Sequence, residues 1–200
     1  MTHLVLTLVL LLSMAPETAT PAPRVDDEIA LARSAAPPQV SADATVMVLQ
    51  DGQYVVGARG SNDVVCMVSR SRPGSREPIC YDAEAARTIL PMEIRRVELR
   101  LAGESSETIE RIIAEGIGSG EFQLPRRPAM SYMMSSGQVL ISGEGRNVGN
   151  WYPHLMLYWP YLRGAELGLQ GKPSLQAGVV FDEGLPTAHL VIPVREFIDP

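Results

Sequence analysis

The hydrophobic pattern changes period twice along the chain. Residues 45–49 are apolar and β-branched, Asp51-Gly52 is a two-residue hairpin signal, and Tyr54-Val55-Val56 resumes a strand. A second turn at Gly60-Ser61-Asn62-Asp63 leads into Val64-Val65-Cys66-Met67-Val68, predicting a three-stranded antiparallel meander. Residues 70–78 are rich in Ser, Pro, Gly and Arg and read as a loop. The period then becomes helical. Asp82 can cap a helix opening at Ala83, and Pro91 breaks or kinks it. Leu90, Ile94, Val97 and Leu101 continue a helical stripe up to Gly103. Ser105 can cap a further helix with an Ile109/Ile112/Ile113 stripe, a Glu107–Arg111 pair and a stop at Gly116. Earlier in the chain, Asp26-Asp27-Glu28 opens a short helix over residues 29–36, which Pro37-Pro38 ends.

After Pro125 the pattern returns to strands, at residues 130–135, 138–142, 154–159, 179–181 and 189–194, with a turn at Asp182-Glu183-Gly184. Strands, then helices, then strands imply an α+β fold. The expected architecture is an antiparallel sheet, the N-terminal meander plus the C-terminal strands, with two or three helices packed mainly on one face.

Alternation along residues 151–161, WYPHLMLYWPY, puts Leu155, Leu157 and Trp159 on one face and His154, Met156 and Tyr158 on the other. The last strand divides likewise, Ala188, Leu190, Ile192 and Val194 against His189, Val191 and Pro193. The leucine faces read as core. The two histidines then share the opposite face, covered by the helix over residues 29–36 or left partly open. His154, Met156, Tyr158 and His189 are the candidate binding residues on that face.

Residues 4–12, LVLTLVLLL, followed by small residues at Ser13, Ala15 and Ala19, have the length and setting of a secretory signal. Nine residues are too few to span a bilayer, which takes about 20. The expected organisation is a signal peptide at residues 1–20, a Pro-rich linker and short helix at 21–42, and a single α+β domain at 43–200. That places the protein in the periplasm or outside the cell, with no membrane span in the mature chain. In such a compartment two cysteines have one intramolecular pairing, Cys66 with Cys80, worth about 3 kcal/mol through the loop it closes.

A chain of 200 residues with 46% hydrophobic and 20% charged residues is long and apolar enough for one buried core. Its net charge of −6 argues against nucleic-acid binding, which needs a basic footprint. The pairs Arg95-Arg96 and Arg126-Arg127 read as solvated surface. Gly171-Lys172-Pro173 lacks the Ser or Thr of a phosphate loop. No G-x-S-x-G elbow surrounds any serine, although Ser135, His189 and Asp182 supply the residue types of a hydrolytic triad. Nine methionines fit core packing better than copper or haem, since no M-x-x-M or C-x-x-C-H pattern accompanies them. Two cysteines are too few for a zinc site. No metal and no cofactor is expected.

Gly60-Ser61-Asn62 before Cys66, Pro78-Ile79-Cys80-Tyr81-Asp82, Ser131-Tyr132-Met133, Pro153-His154-Leu155-Met156, and Ala188-His189 before Ile192-Pro193-Val194 occur in that order. The series, spanning about residues 45–195, resembles a group of uncharacterised exported bacterial proteins with similar landmarks. The resemblance implies a bacterial, exported domain and no particular activity. The leading expectation is a non-enzymatic domain that binds a small molecule or a protein partner through the His154/His189 face. The alternatives are a periplasmic, hydrolase-like enzyme using His154 or His189 as acid–base, and a structural envelope protein.

Overall fold

The computed structural model describes residues 24–169 and 177–200. The signal expected over residues 1–20, and Lys172, lie outside the described residues. The α+β class expected from the pattern is what the chain adopts: five α-helices and a mostly antiparallel sheet among the described residues. The helices are α1 (Val25–Arg33), α2 (Pro38–Ser41), α3 (Ala83–Thr88), α4 (Leu90–Leu101) and α5 (Ser106–Ser119). The strands are β1 (Thr45–Gln50), β2 (Gln53–Ala58), β3 (Val65–Ser69), β4 (Glu77–Tyr81), β5 (Ala129–Met133), β6 (Leu140–Ile141), β7 (Asn147–Gly149), β8 (His154–Tyr158), β9 (Val179–Phe181) and β10 (His189–Pro193). Eight strands form one sheet in the order β2-β1-β3-β4-β5-β8-β10-β9, while β6 and β7 pair separately.

Local signals set many boundaries. Asp51 and Gly52 both adopt positive φ, as a two-residue hairpin turn between β1 and β2 requires. The Asp82 carboxylate accepts from the Ala85 amide at 2.7 Å and caps α3. The Ser105 hydroxyl accepts from the Thr108 amide at 3.2 Å and caps α5. Pro91 sits in the first turn of α4, where its missing N–H costs nothing, so the break falls at Ile89.

The meander is a correction. β3 pairs with β1, in parallel, instead of with β2. Burial explains the order: β3 is covered on both faces and takes an interior position, whereas β2 is mostly exposed and becomes the edge. The connecting turn wraps the start of β1, with the Ser61 and Asn62 amides both donating to the Asp43 carbonyl. Gly60 is needed there because a Cβ would run into the Asp43 and Ala44 backbone.

The loop expected over residues 70–78 is shorter than the pattern implied, because Glu77–Tyr81 forms β4. Pro78 is tolerated there: β5 pairs with β4 only at Cys80 and Tyr81, so Pro78 has a strand on one side alone. Cys66 and Cys80 are directly opposite across β3 and β4 and form a disulfide, both fully buried.

Gly116 does not end α5. The helix runs on to Ser119, with Gly120 in the left-handed region as its cap. Gly116 instead lets Phe122 pack against the helix, where a Cβ would lie 2.5 Å from the Phe122 ring. Leu101 is exposed, and Arg111 pairs forward with Glu115 rather than back with Glu107.

Two apolar clusters flank the sheet. Ala32, Ala35 and Ala36 of α1 and the turn after it pack on Val46, Val48, Cys66, Val68 and Cys80. Met67, Ile79, Tyr81, Met156 and Val191 of the other face pack with Val97 and Leu99 of α4 and Ile109 and Ile113 of α5. Helices therefore cover both faces, α1 on one and α3–α5 on the other.

The choice of core face on the C-terminal strands is the largest correction. Alternation grouped the residues rightly: His189, Val191 and Pro193 stand opposite Tyr158, Met156 and His154. The face facing α3–α5 is the histidine face, with Met156 8% exposed, whereas Trp159 is 65% exposed and Leu157 lies open. α1, considered as a cover for the histidines, lies on the opposite side.

Candidate functional site

A sheet of eight strands spaced about 4.8 Å apart is about 34 Å wide. Two helices side by side, each about 10 Å across, cover little more than half of that. Here α4 lies over β2 and β3, α3 over β4 and β5, and α5 packs on α4. The layer stops short of β8 and β10, and at its margin lies a cavity of about 470 Å³.

Three of the four candidate binding residues, Met156, Tyr158 and His189, line it together. His154 does not. It is buried four positions back along β8, its Nδ1 2.7 Å from the Tyr152 carbonyl and its ring edge-on to Trp151. Burial pulls the His154 imidazole below its ordinary range and outweighs the bond to Tyr152, so the neutral ring is favoured. This histidine is a packed core residue.

His189 is half-buried. Its Nδ1 lies 3.0 Å from the Thr187 carbonyl, so that nitrogen carries a proton and donates to the carbonyl, while Nε2 has no partner among the described residues. The ring stacks on Phe181 at 5.7 Å between centroids and tilts against Tyr158 at 5.4 Å. The Tyr158 hydroxyl lies 3.1 Å from Ser131 Oγ. Burial pushes the Tyr158 and Tyr81 phenols well above their ordinary range, so both remain protonated.

The helical wall brings residues that no pattern in the sequence singled out. Glu93 and Arg96 face the cavity from α4, and Glu110 from α5. Ser69 donates to Glu93 at 2.6 Å. Arg96, read as solvated surface, is largely buried and holds Glu110 with two bonds, Nε at 3.1 Å and Nη2 at 3.2 Å. Burial opposes its charge. The bond to Glu110 and the fields of Glu110, Glu93 and Asp182 outweigh that and raise the guanidinium above its usual value. Glu77 accepts from Ser71, and burial pushes its carboxyl up. The only available signal for this wall was helical spacing: Glu93 and Arg96 are three apart, on one side of α4.

The residues of the considered triad are not assembled. Asp182 and His189 share the cavity, but Ser135 is buried elsewhere, its hydroxyl 2.6 Å from that of Ser34. A second, open groove of about 660 Å³ runs past Leu157, Trp159 and Pro125. Its Arg127 side chain is turned to Glu84 at 2.7 Å. Among the described residues no three His, Cys, Asp or Glu side chains converge to hold a metal ion, and no helix is long and apolar enough to cross a membrane.

Comparison with protein-family models, curated proteins and solved structures finds no match to the chain. The functional reading therefore stands on the cavity.

Proposed function

We propose that this chain is an exported binding domain that holds a small molecule in the cavity between α4–α5 and the β8–β10 end of the sheet. The observation that carries the reading is convergence. Met156, Tyr158 and His189 from two strands meet Glu93 and Arg96 from a helix around one space of about 470 Å³, within the usual range for small-ligand sites. An apolar floor with a few polar groups is the composition such sites share. Export to the periplasm or beyond is supported by the signal-like residues 4–12 and by a buried disulfide, which persists in oxidising compartments.

The test is a thermal-shift screen of the full chain against small fragments, with hits located by amide NMR. Hits that stabilise the protein should perturb Glu93, Met156 and His189. A ligand at 100 times its Kd stabilises by about 2.7 kcal/mol, readily seen as a shift in Tm. Stabilising compounds whose perturbations map away from these residues would refute the site.

A catalytic reading has one observation in its favour: the Thr187 carbonyl orients His189 and leaves Nε2 free as a base. Under that reading His189→Gln abolishes hydrolysis of an activated ester such as p-nitrophenyl acetate. An unchanged rate removes it.

A further inference from the structure

We propose that the cavity takes a small organic cation, an ammonium group carried on an apolar body, with Glu93 as its counter-charge. The inference rests on the binding reading above and names the class of ligand.

The charges facing the cavity are unequal. Glu77, Glu93, Glu110 and Asp182 supply carboxyl groups, and Arg96 is the one guanidinium among the lining residues. Arg96 is already engaged, since two of its donors go to Glu110. Three of its five N–H donors go to no partner among the described residues, but Glu110, Glu93 and Asp182 already act on its charge, so an anionic ligand would enter a lining with more acids than bases. Among the acids, Glu77 takes the Ser71 hydroxyl and Asp182 is exposed and accepts from Thr187 at 2.8 Å. Glu93 differs. It is half-buried, it accepts one neutral hydrogen bond, from Ser69, and it has no ion pair among the described residues. A carboxylate offers about four acceptor positions, and a partly desolvated one gains most from a charged donor.

A second observation, independent of the acids, points the same way. Tyr81 is 1% exposed and lines the cavity, yet its hydroxyl has no hydrogen-bond partner among the described residues. The neighbouring phenol, Tyr158, has Ser131. Among the described residues the sealed polar side-chain atom without a partner is Arg33 Nε, so the Tyr81 hydroxyl opens to the cavity and is available to an incoming polar group. Its oxygen can accept from an N–H while Glu93 accepts from another, and a primary ammonium has three to give.

The rest of the lining describes the rest of the ligand. Ile79, Ile89, Met133 and Leu185 are apolar and suit a hydrocarbon body. The Tyr158 ring adds a π face that attracts a cation, and the His189 ring beside it tolerates an aromatic ring. A bare metal ion fits neither the apolar floor nor the acids, because among the described residues no three ligating side chains converge.

Three probes with one body separate the cases: 2-phenylethylammonium, 2-phenylethanol and 3-phenylpropanoate. Each is titrated into the full chain by calorimetry, with amide NMR following Tyr81, Glu93 and Met156. The ammonium should bind roughly tenfold or more tighter than the alcohol, and the carboxylate weakest, since a hydrogen bond to a charged group outweighs a neutral one by about that factor. Glu93→Gln keeps an acceptor for Ser69. It should weaken the ammonium by about tenfold or more and leave the alcohol within about threefold. Calcium chloride should not displace the ammonium. If the alcohol or carboxylate perturbs the cavity amides and binds as tightly as the ammonium, the cation proposal falls and the binding site stands. The same holds if Glu93→Gln changes nothing, or if calcium competes. If none of the three perturbs a cavity amide at millimolar concentration, the cavity reading falls with it.

Discussion

Replacing Met156 and Trp159 by alanine, one at a time, asks which face of β8 is packed. The two residues lie three apart and point to opposite sides of the sheet. Met156 is 8% exposed and belongs to the cluster that includes Val191, Tyr81 and Ile89. Truncation to alanine removes three heavy atoms, a transfer loss of about 2 kcal/mol at roughly 0.8 kcal/mol per methylene-sized group. A hole on the order of 50 Å³ adds about 1 kcal/mol at 24 cal/mol per Å³, giving about 3 kcal/mol. Trp159 is 65% exposed, so about a third of a side chain that can bury about 250 Å² is covered. That is about 90 Å², or about 2 kcal/mol at 25 cal/mol per Å². The alanine methyl retains part of this, and water fills the open groove, leaving about 1 kcal/mol. Urea unfolding at unchanged slope reads the difference as a midpoint shift about three times larger for Met156→Ala. Equal losses, or a larger one for Trp159→Ala, would mean that the Leu155/Leu157/Trp159 face is the packed one, and that α3–α5 lie on the wrong side.

Other outcomes follow from single observations. The double variant Cys66→Ala/Cys80→Ala should lose about 3 kcal/mol, because the bridge closes a loop with a sequence separation of 14; a urea midpoint equal to that of the native chain without reductant would contradict the bond's contribution. His154 has its folded pKa depressed by burial, so its stabilising effect is present in full above the unfolded value, near 6.5, and lost as pH falls through the folded one. Stability measured across that window should therefore decline on acidification in the native chain and decline less in His154→Gln; parallel profiles would put the imidazole in water. Gly60→Ala presses a methyl into the Asp43 and Ala44 backbone, so a loss of about 1–3 kcal/mol is expected from thermal unfolding, and a neutral substitution would show that the β2–β3 crossover runs elsewhere.

The features legible in the sequence are those whose causes are close along the chain. The Asp51-Gly52 turn, the Asp82 and Ser105 caps and the Pro91 break depend on partners within four residues, and each sits where the pattern put it. β4 escaped detection because Pro78 reads as loop, and its tolerance depends on where β5 stops pairing, some fifty residues later. The candidate site was legible in half. Period two joined Met156, Tyr158 and His189 on one face, and the structure gathers them at one cavity. Glu93, Arg96 and Tyr81 were invisible as site residues, since nothing local distinguishes a charged residue facing a cavity from one facing water.

Alternation along a strand states which side chains share a face, because the pleat is a property of the backbone. It does not state which face is covered. That depends on where helices more than thirty residues away in sequence come to rest, and on a helical layer too narrow for an eight-stranded sheet. The same placement decides that His154 is a buried, neutral ring and that His189, grouped with it by sequence, stands at a cavity wall. Strand pairing follows the same rule: β3 lies beside β1 because burial on both faces rewards an interior position, a gain that exists only once the rest of the sheet and both helical layers are in place.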